Sequence, residues 1–424
     1  MLFKVPNSIK LFIEIYAGKL GNEKSRLIPL YMAGILFSPG KRTMTSLGSS
    51  ILSDQRHKTA VCKFFRRKTF CSRDILLRIL KRLISEELKT YGPAGEWVLI
   101  IDGTCTRRGS FTKIANAVQY KTKDSSNKGV STKAHTFVMG ILVSPRGIRY
   151  PLRSSYYTKE YCKENRVALK TQNEIAAELY REFRKFLPYR VNMVVLADSF
   201  FDSKTMFQAI DRSNTVYLTP ADRDRNCNLR YGTEKLHERG KKRKNLTTLT
   251  VQEGLEPRTS GQRRFARTDR VGKSENVYRI TGETLEIPGA GLCRVVYSWK
   301  KKPRTREYSY RVLLCSDPSW SNEKIAEFYA LRWQVEMFFR ELKSELGIGD
   351  FSGQDFEAFE RFVDVCLLAF MFLEWHRVEL AAKTRSLKEK GRLKVIRTRG
   401  MIAKIREDEN KLLLMEAKRL NLVA

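Results

Sequence analysis

The chain has 424 residues, and its 80 Lys and Arg against 46 Asp and Glu give a net charge of +34. A hydrophobic content of 42% predicts a folded protein with a sizeable core and excludes an intrinsically disordered chain. A charge excess of this size repels itself in a compact protein, so it favours a polyanionic partner, with nucleic acid the leading candidate and an anionic membrane surface the rival.

The hydrophobic segments are too short for a membrane protein. The longest apolar runs, 27–37 and 363–372, fall well short of the roughly 20 residues that a spanning helix needs. Residues 1–10 lack a signal-peptide pattern, so we expect a soluble intracellular protein. The 8 cysteines include no CxxC pair, and neither they nor the 4 histidines have zinc-ligand spacing, which favours reduced structural thiols.

Residues 1–92 are expected to form a basic helical domain. Apolar residues recur at helical spacing over 7–19, 26–37 and 72–91. Between the last two of these helices, basic residues, hydroxyls and aromatic residues surround shorter helices. The module resembles a helix-turn-helix DNA reader; the alternative is a packing bundle whose basic face is only solvated.

Residues 93–220 have the pattern of a mixed α/β unit. The run WVLIID predicts a buried strand that ends at Asp102. Further strands and an amphipathic helix follow it, and 191–203 is a second buried strand that ends in acids, among them Asp198.

The rest of the chain divides into three parts by composition. Residues 221–306 are polar, basic and rich in turns, with β-type segments at 277–287 and 292–300, and they predict a β-rich insertion. Residues 307–375 return to the α/β core. Residues 376–424 predict a basic helical C-terminal region.

Residues 329–343, YALRWQVEMFFRELK, have the most informative pattern. If the segment is a single helix of about 100° per residue, four polar side chains fall within a sector roughly 60° wide. These are Tyr329, Arg332, Glu336 and Lys343. The expected buried face consists of Leu331, Val335, Phe338, Phe339, Leu342 and Leu346. Ser321 is the expected N-cap of this helix. A carboxylate flanked by fixed cations suits a metal ion that must meet a phosphate backbone.

Three acids stand out by their context: Asp102 and Asp198 at strand ends, and Glu336 on the helix. Only a fold could bring them together. Three carboxylates can hold two Mg²⁺ ions ~3.5–4 Å apart, of which one activates water or a DNA 3′-hydroxyl and the other stabilises the leaving oxygen. An Asp at a strand end is also a common turn or cap residue. Nearby acids that could replace Asp198 in this role are Asp202, Asp222 and Asp224.

Taken together, these motifs resemble those of the DDE transposases of bacterial insertion sequences. Residues 329–343 match the Y-x2-R-x3-E-x6-K signature of the YREK group, and IDGT at Asp102 and ADSFFDS at Asp198 look like the first and second acid motifs. The resemblance covers about residues 40–375. It implies an RNase H-like mixed-sheet core with a β-rich insertion, preceded by a helical DNA-binding domain and followed by a helical tail.

By this resemblance, Asp102, Asp198 and Glu336 would be the catalytic residues and the metal ligands. The expected cofactor is Mg²⁺, two ions per active site, with Mn²⁺ able to substitute. His135, on a strand after Asp102, would either support the metal ligands or be merely buried.

The resemblance also implies DNA-binding roles on the signature segment. Tyr329, Arg332 and Lys343 would contact phosphates near the transposon end. Trp333 would either stack on a base displaced from the duplex or be a core residue. The alternative for Arg332 and Lys343 is ordinary pairing with Glu336 along one helix.

The implied function is cut-and-paste transposition by a bacterial or archaeal, nucleoid-associated cytoplasmic protein. The protein would bind the terminal inverted repeats, cleave at the element ends and join the 3′-hydroxyl ends to target DNA. Its partners would be double-stranded DNA and a second copy of itself in the DNA complex. One alternative is a catalytically silent DNA-binding repressor derived from a transposase. The other is a general RNase H-like nuclease, which would need neither the N-terminal module nor the insertion.

Overall fold

The structure, a computed structural model, describes residues 2–108, 114–123, 129–230, 232–243, 249–253, 276–301, 308–383 and 398–419. Parts of the expected insertion (244–248, 254–275 and 302–306) and of the expected tail (384–397 and 420–424) therefore lie outside the described residues. The described chain is a mixed α/β protein, as the sequence predicts.

The described helices lie mainly at the two ends of the chain. They are α1 (Asn7–Ala17), α2 (Asn22–Phe37), α3 (Met44–Ser49), α4 (Lys58–Arg66), α5 (Ser72–Tyr91), α6 (Lys159–Asn165), α7 (Gln172–Arg184), α8 (Lys204–Ala209), α9 (Leu236–Arg243), α10 (Asn322–Ala330), α11 (Trp333–Ser344), α12 (Phe356–Lys383) and α13 (Thr398–Arg419). Short 3-10 helices lie at Leu52–Asp54 and Ser199–Phe201.

The strands lie between α5 and α10. They are β1 (Trp97–Arg107), β2 (Val118–Lys123), β3 (Gly129–Val143), β4 (Arg149–Ser155), β5 (Met193–Leu196), β6 (Thr215–Pro220), β7 (Asn226–Leu229), β8 (Gly232–Lys235), β9 (Leu249–Glu253), β10 (Asn276–Ile287), β11 (Gly291–Lys301) and β12 (Tyr308–Cys315). Their bounds lie close to those expected for the β-type segments before residue 301. The bounds expected for the acid-bearing strands are wrong: β1 continues past Asp102, which pairs with Met139 of β3, as far as Arg107, and β5 ends at Leu196, before Asp198.

The described strands form one mixed sheet in the order β2-β3-β1-β5-β6-β12-β11-β10-β7-β8, with β4 also paired to β3 and β9 to β10. β1 runs parallel to β5, and β5 runs parallel to β6. β3 is antiparallel to both β1 and β4. β12 is antiparallel to β6 and joins the β-rich segment to the same sheet.

The central strands are apolar because helices cover both faces of the sheet. All side chains of β5 are buried, as are those of Trp97 to Ile101 in β1. On one face α7 packs directly on β3, where a Cβ added to Gly140 would lie only 2.6 Å from Phe183 Cε2. On the other face α12 contacts β3 and β4; the rings of Phe137 and Phe359 are 5.6 Å apart. The sheet edge that carries the acids is therefore held between two layers of helix.

The N-terminal helices pack around α12 and share its core. Phe12 and Phe372 have ring centroids 5.7 Å apart, and Phe65 and Phe362 are 5.8 Å apart. In α2 every residue from 27 to 37 is buried, which explains the apolar run there as a helix enclosed by protein. Across the described ranges, no helix is both long and apolar enough to span a membrane.

Candidate active site

The register of β1 and β5 places Asp102 and Asp198 at the same edge of the sheet. Ile100 pairs with Leu196 in this parallel ladder. Asp102 lies two residues after Ile100, and Asp198 lies two residues after Leu196. Because parallel strands end on the same side of a sheet, both carboxylates leave the core at neighbouring positions. The register therefore places Asp102 and Asp198 at neighbouring positions.

Hydrogen bonds hold the loop after β5 in place. The N–H of Phe200 donates to Asp198 Oδ1 at 3.0 Å, so Asp198 caps the short 3-10 helix that follows it. Thr219 Oγ1, on β6, donates to the carbonyl of Asp198 at 2.8 Å. The hydroxyl of Tyr217 donates to the carbonyl of Phe201 at 2.7 Å. The position of Asp198 is thus set by both its own loop and the neighbouring strand.

The nearby acids that could have replaced Asp198 have other partners. The carboxylate of Asp202 is buried; it accepts a hydrogen bond from the N–H of Asp222 at 2.8 Å and lies 3.4 Å from the guanidinium of Arg225. Asp224 is exposed and pairs with Lys235 at 2.9 Å. These contacts favour Asp198 as the second acid of the site.

The expectation of one helix over 329–343 is wrong. α10 ends at Ala330, and α11 begins at Trp333. Hydrogen bonds from Arg332 N–H to Tyr329 O and from Val335 N–H to Arg332 O, both 3.1 Å, form tighter i→i−3 turns between them. Residues on both sides of the break, Tyr329 and Val335, are buried in the same core.

Two consequences of the break correct the sequence analysis. Ser321 caps α10, where its Oγ accepts from Lys324 N–H at 3.1 Å, and does not cap the helix that carries Glu336. The expected apolar face is buried except for Phe339, which is only partly buried against the core.

Arg332 joins β1 to α11. Its Nη1 donates to Asp102 Oδ2 at 3.0 Å, and its Nη2 donates to Glu336 Oε1 at 2.9 Å. The side chain of Arg332 is 18% exposed, against 15% for Asp102 and 35% for Glu336. Asp102 and Glu336 therefore share Arg332 as a cation. Hundreds of residues separate these two acids in the sequence, so the sequence alone did not guarantee this contact.

The carboxylates of the site influence one another. Burial and, to a smaller extent, the charge of Asp198 raise the pKa of Asp102 to about 6, against the opposing effect of Arg332. Burial also raises the pKa of Asp198, while the N–H of Phe200 and the charge of Arg332 lower it. Burial lowers the pKa of Arg332, but Tyr329, Asp102 and Glu336 outweigh this effect, so the guanidinium remains charged.

The other signature residues lie at different depths. Tyr329 is only 9% exposed, and the guanidinium of Arg311 lies 6.0 Å from the centre of its ring. Lys343 is exposed, with its ammonium 5.9 Å from the ring of Phe339. Trp333 is 37% exposed at the start of α11, so the core alternative for it is not supported.

Sequence reasoning missed one aromatic residue at this site. Phe200, two residues after Asp198, is 56% exposed, whereas its neighbour Phe201 is 1% exposed. The adjacent pair of phenylalanines after the second acid is the signal that could have revealed it. His135, by contrast, is fully buried against Phe356 and Phe359; its Nε2 lies 2.8 Å from the carbonyl of Ala115, and burial lowers its pKa to about 4.

The donor set fits a hard divalent cation by its chemistry, since Asp102, Asp198 and Glu336 offer only carboxylate oxygens. In the part of the chain that the structure describes, no three His, Cys, Asp or Glu side chains are grouped closely enough to hold a metal ion as they stand. Arg332 supplies positive charge between two of these carboxylates instead. In this structure, the charge of Arg332 thus offsets that of Asp102 and Glu336.

A protein-family model described as a transposase DDE domain matches residues 93–372, well over half of the chain. The match contains all three acids and the whole signature segment. No curated protein matches the chain.

Proposed function

This chain belongs to the family of transposases with a DDE domain, and from that premise we propose that it cleaves DNA at the ends of an insertion sequence and joins the freed 3′-hydroxyls to target DNA. The observation that carries the proposal is the meeting of Arg332 with Asp102 and Glu336 beside the register-matched Asp198. Ordinary pairing of Arg332 with Glu336 along one helix does not explain why Arg332 also contacts Asp102 on β1.

We infer that the catalytic core is RNase H-like and that the protein belongs to the YREK group. The order β4-β3-β1-β5-β6, with β3 antiparallel to β1 and β5 and β6 parallel to it, supports this inference. The β-rich segment between β6 and α10 agrees with an insertion before the third acid. The bounds that we propose are a helical DNA-binding domain (1–92), a core in two parts (93–220 and 307–375), an insertion (221–306) and a basic helical region (376–424).

Asp102, Asp198 and Glu336 would hold two Mg²⁺ ions, or Mn²⁺ in their place. When bound, such ions supply an activated water or 3′-hydroxyl and stabilise the leaving oxygen. The residues themselves orient the site: the N–H of Phe200 and the hydroxyl of Thr219 fix the loop of Asp198. Arg332 keeps Asp102 and Glu336 close while the site is empty of other cations and can turn to a phosphate once they are neutralised.

DNA would be held on the same side of the sheet. Arg332 and Lys343 provide positive charge for phosphates, and the buried Tyr329 interacts with Arg332. Trp333 provides an exposed ring on which an unstacked base can stack. The net charge of +34 supports a long contact with double-stranded DNA at both transposon end and target. We propose a homodimer in the DNA complex, with one protomer at each end, in a nucleoid-associated cytoplasmic protein.

The test is Mg²⁺-dependent cleavage of DNA that carries the inverted repeats flanking this gene. We expect end-specific cleavage by the wild type and a loss of at least about 10³-fold in Asp102→Asn, Asp198→Asn and Glu336→Gln, with DNA binding retained. Asp224→Asn is the matched control, because it removes an exposed carboxylate near the second motif, and it should cleave normally.

Each other result selects another function. Specific binding of the repeats without cleavage by any form would indicate the silent repressor. Cleavage without preference for the repeats would indicate a general nuclease. Cleavage by Glu336→Gln at the wild-type rate would show that Glu336 is not the third acid.

A further inference from the structure

A cavity of about 240 Å³ lies where the N-terminal helices meet the sheet. It is enclosed by α1, α5, the start of β4 and α12. Tyr150 of β4 lines the cavity. In the sheet its backbone is paired with Leu142 of β3, which is itself paired with Leu99 of β1, three residues before Asp102. The cavity is nevertheless separate from the proposed active site, because Asp102, Asp198 and Glu336 do not line it.

A buried carboxylate with a free oxygen lines this cavity. Glu87 is 6% exposed, and its Oε2 accepts a hydrogen bond from the hydroxyl of Tyr150. Its Oε1 is buried and has no hydrogen-bond partner in the described part of the chain. Burial raises the pKa of Glu87, while the hydroxyls of Ser144 and Tyr150 and the charges of Arg146 and Arg377 oppose this rise. A buried acid with one open oxygen is costly unless a donor or a cation reaches it.

Two further carboxylates line the same cavity from exposed positions, Glu86 on α5 and Glu379 on α12. Glu86 accepts a hydrogen bond from the hydroxyl of Tyr16 at 2.6 Å. Among the described side chains, no Lys or Arg forms an ion pair with Glu86, Glu87 or Glu379. The remaining acid in the wall, Glu374, is already neutralised by Arg149 at 2.8 Å and Arg377 at 2.5 Å. Acids without ion pairs are unexpected in a chain of charge +34.

The wall between these carboxylates is apolar and aromatic. Leu83, Met371 and Val378 line it together with Tyr16 and Trp375, whose ring centroids are 6.2 Å apart. Aromatic faces beside carboxylates favour an ammonium group, and an aliphatic wall favours a methylene chain. The volume is below the roughly 300–1,000 Å³ of sites for drug-sized molecules, so the ligand is small.

We propose that this cavity binds a small aliphatic diamine, with one ammonium group on Glu87 and the other at the mouth between Glu86 and Glu379. The site spans the contact between the N-terminal helices and α12, so such a ligand would strengthen that contact. The proposal is independent of DNA cleavage, because none of these residues belongs to the acid-bearing edge of the sheet.

The test is isothermal titration calorimetry of the full chain with 1,4-diaminobutane, without DNA or divalent metal and at constant ionic strength. We expect saturable binding at one site per chain, at least tenfold weaker binding of 1-aminobutane and no binding of 1,4-butanediol. Glu87→Gln should weaken diamine binding at least tenfold. Glu14→Gln, which removes an exposed glutamate of α1 outside the cavity, should leave it unchanged.

A second variant protects the test against misfolding of Glu87→Gln. The double change Glu86→Gln and Glu379→Gln alters only exposed side chains, and it should abolish the advantage of the diamine over the monoamine. Absence of saturable binding to the wild type, or equal diamine affinity in the wild type and a folded variant at Glu87, would overturn the proposal. Neither outcome bears on cleavage, which is measured separately.

Discussion

The guanidinium of Arg332 lies 3.0 Å from the carboxylate of Asp102, although 230 residues separate them in the chain. The same guanidinium reaches Glu336, four residues further along, at 2.9 Å. In the absence of any other cation, Arg332 therefore balances charge that would otherwise keep these acids apart. We therefore expect Arg332 to have two opposite effects, one on metal binding and one on DNA binding.

Replacing Arg332 by Gln should separate those two effects. Divalent metal should bind about tenfold more tightly, because a cation that competes for Asp102 and Glu336 is removed. Cleavage should fall about 10²-fold or more, because a charged donor near the phosphate is lost. Mn²⁺ titration and single-turnover cleavage measure the two quantities. Arg340→Gln, on the exposed side of α11, is the control; a parallel loss of metal affinity and cleavage in Arg332→Gln would contradict this role.

Metal binding should depend on pH through Asp102. Its pKa of about 6 means that a proton occupies the carboxyl below that pH and must be displaced by the metal. Affinity for Mn²⁺ should therefore be nearly constant between about pH 7 and 8 and fall about tenfold per pH unit below about pH 6. Calorimetry across this range gives the profile. Asp102→Asn should bind weakly and lack this dependence; a profile unchanged by the substitution would assign the titration to another group.

The same raised pKa affects the stability of the metal-free protein. Because the folded state holds the proton of Asp102 more tightly than the unfolded state, stability should decrease as pH rises from about 4 to about 6. Asp102→Asn should then be more stable than the wild type at pH 7 by about 1–2 kcal/mol, and less so at pH 5. Chemical denaturation without metal measures this difference; a destabilised variant would mean that the bond to Arg332 outweighs the cost of burying the charge.

The exposed rings of Trp333 and Phe200 should contribute to binding of DNA with an unpaired base near the cleavage site. Each substitution by Ala should cost about 1–3 kcal/mol on such DNA, and less on fully paired duplex, because stacking needs an accessible base. Fluorescence anisotropy with the two DNAs gives the difference. Tyr189→Ala is the matched control, since that ring is 70% exposed but precedes β5, at the opposite end of the strand from Asp198. Equal losses in all three variants would show a general effect.

A buried ion cluster should hold α12 to the sheet. Arg153 of β4 donates to Asp364 at 2.7 Å and to Glu360 at 3.0 Å, and Ser72 of α5 donates to the second oxygen of Asp364 at 2.5 Å. Arg153→Met should destabilise the protein by about 3–5 kcal/mol, because it leaves Asp364 buried without its cation. The double change Arg153→Met and Asp364→Leu should recover most of this loss in urea denaturation. Lys170→Met, which breaks an exposed pair, should cost less than about 1 kcal/mol.

DNA affinity should fall steeply with salt. If the basic surface neutralises about 6–10 phosphates, affinity should drop roughly 10³–10⁵-fold between about 50 and 200 mM salt, because bound protein releases condensed counterions. A titration of the inverted-repeat DNA over that range measures the slope. A flat response would contradict nucleic acid as the partner that the net charge indicates.

Much of the local structure follows from the sequence, because side-chain periodicity records which face is buried. The helix expected at 72–91 has those bounds in the structure, and β5 ends two residues before Asp198, whereas β1 continues past Asp102 to Arg107. The charge, the family signature and the three acids are likewise properties of the sequence alone.

The tertiary structure decided what periodicity does not record. The break between α10 and α11 lies where both helices pack into the core, and the contact of Arg332 with Asp102 depends on how α11 packs against β1. The exposure of the Trp333 ring and the unpaired Oε1 of Glu87 also depend on how elements that are distant in the chain pack around these side chains. Such contacts join residues far apart in the chain, so only the assembled sheet and helices determine them.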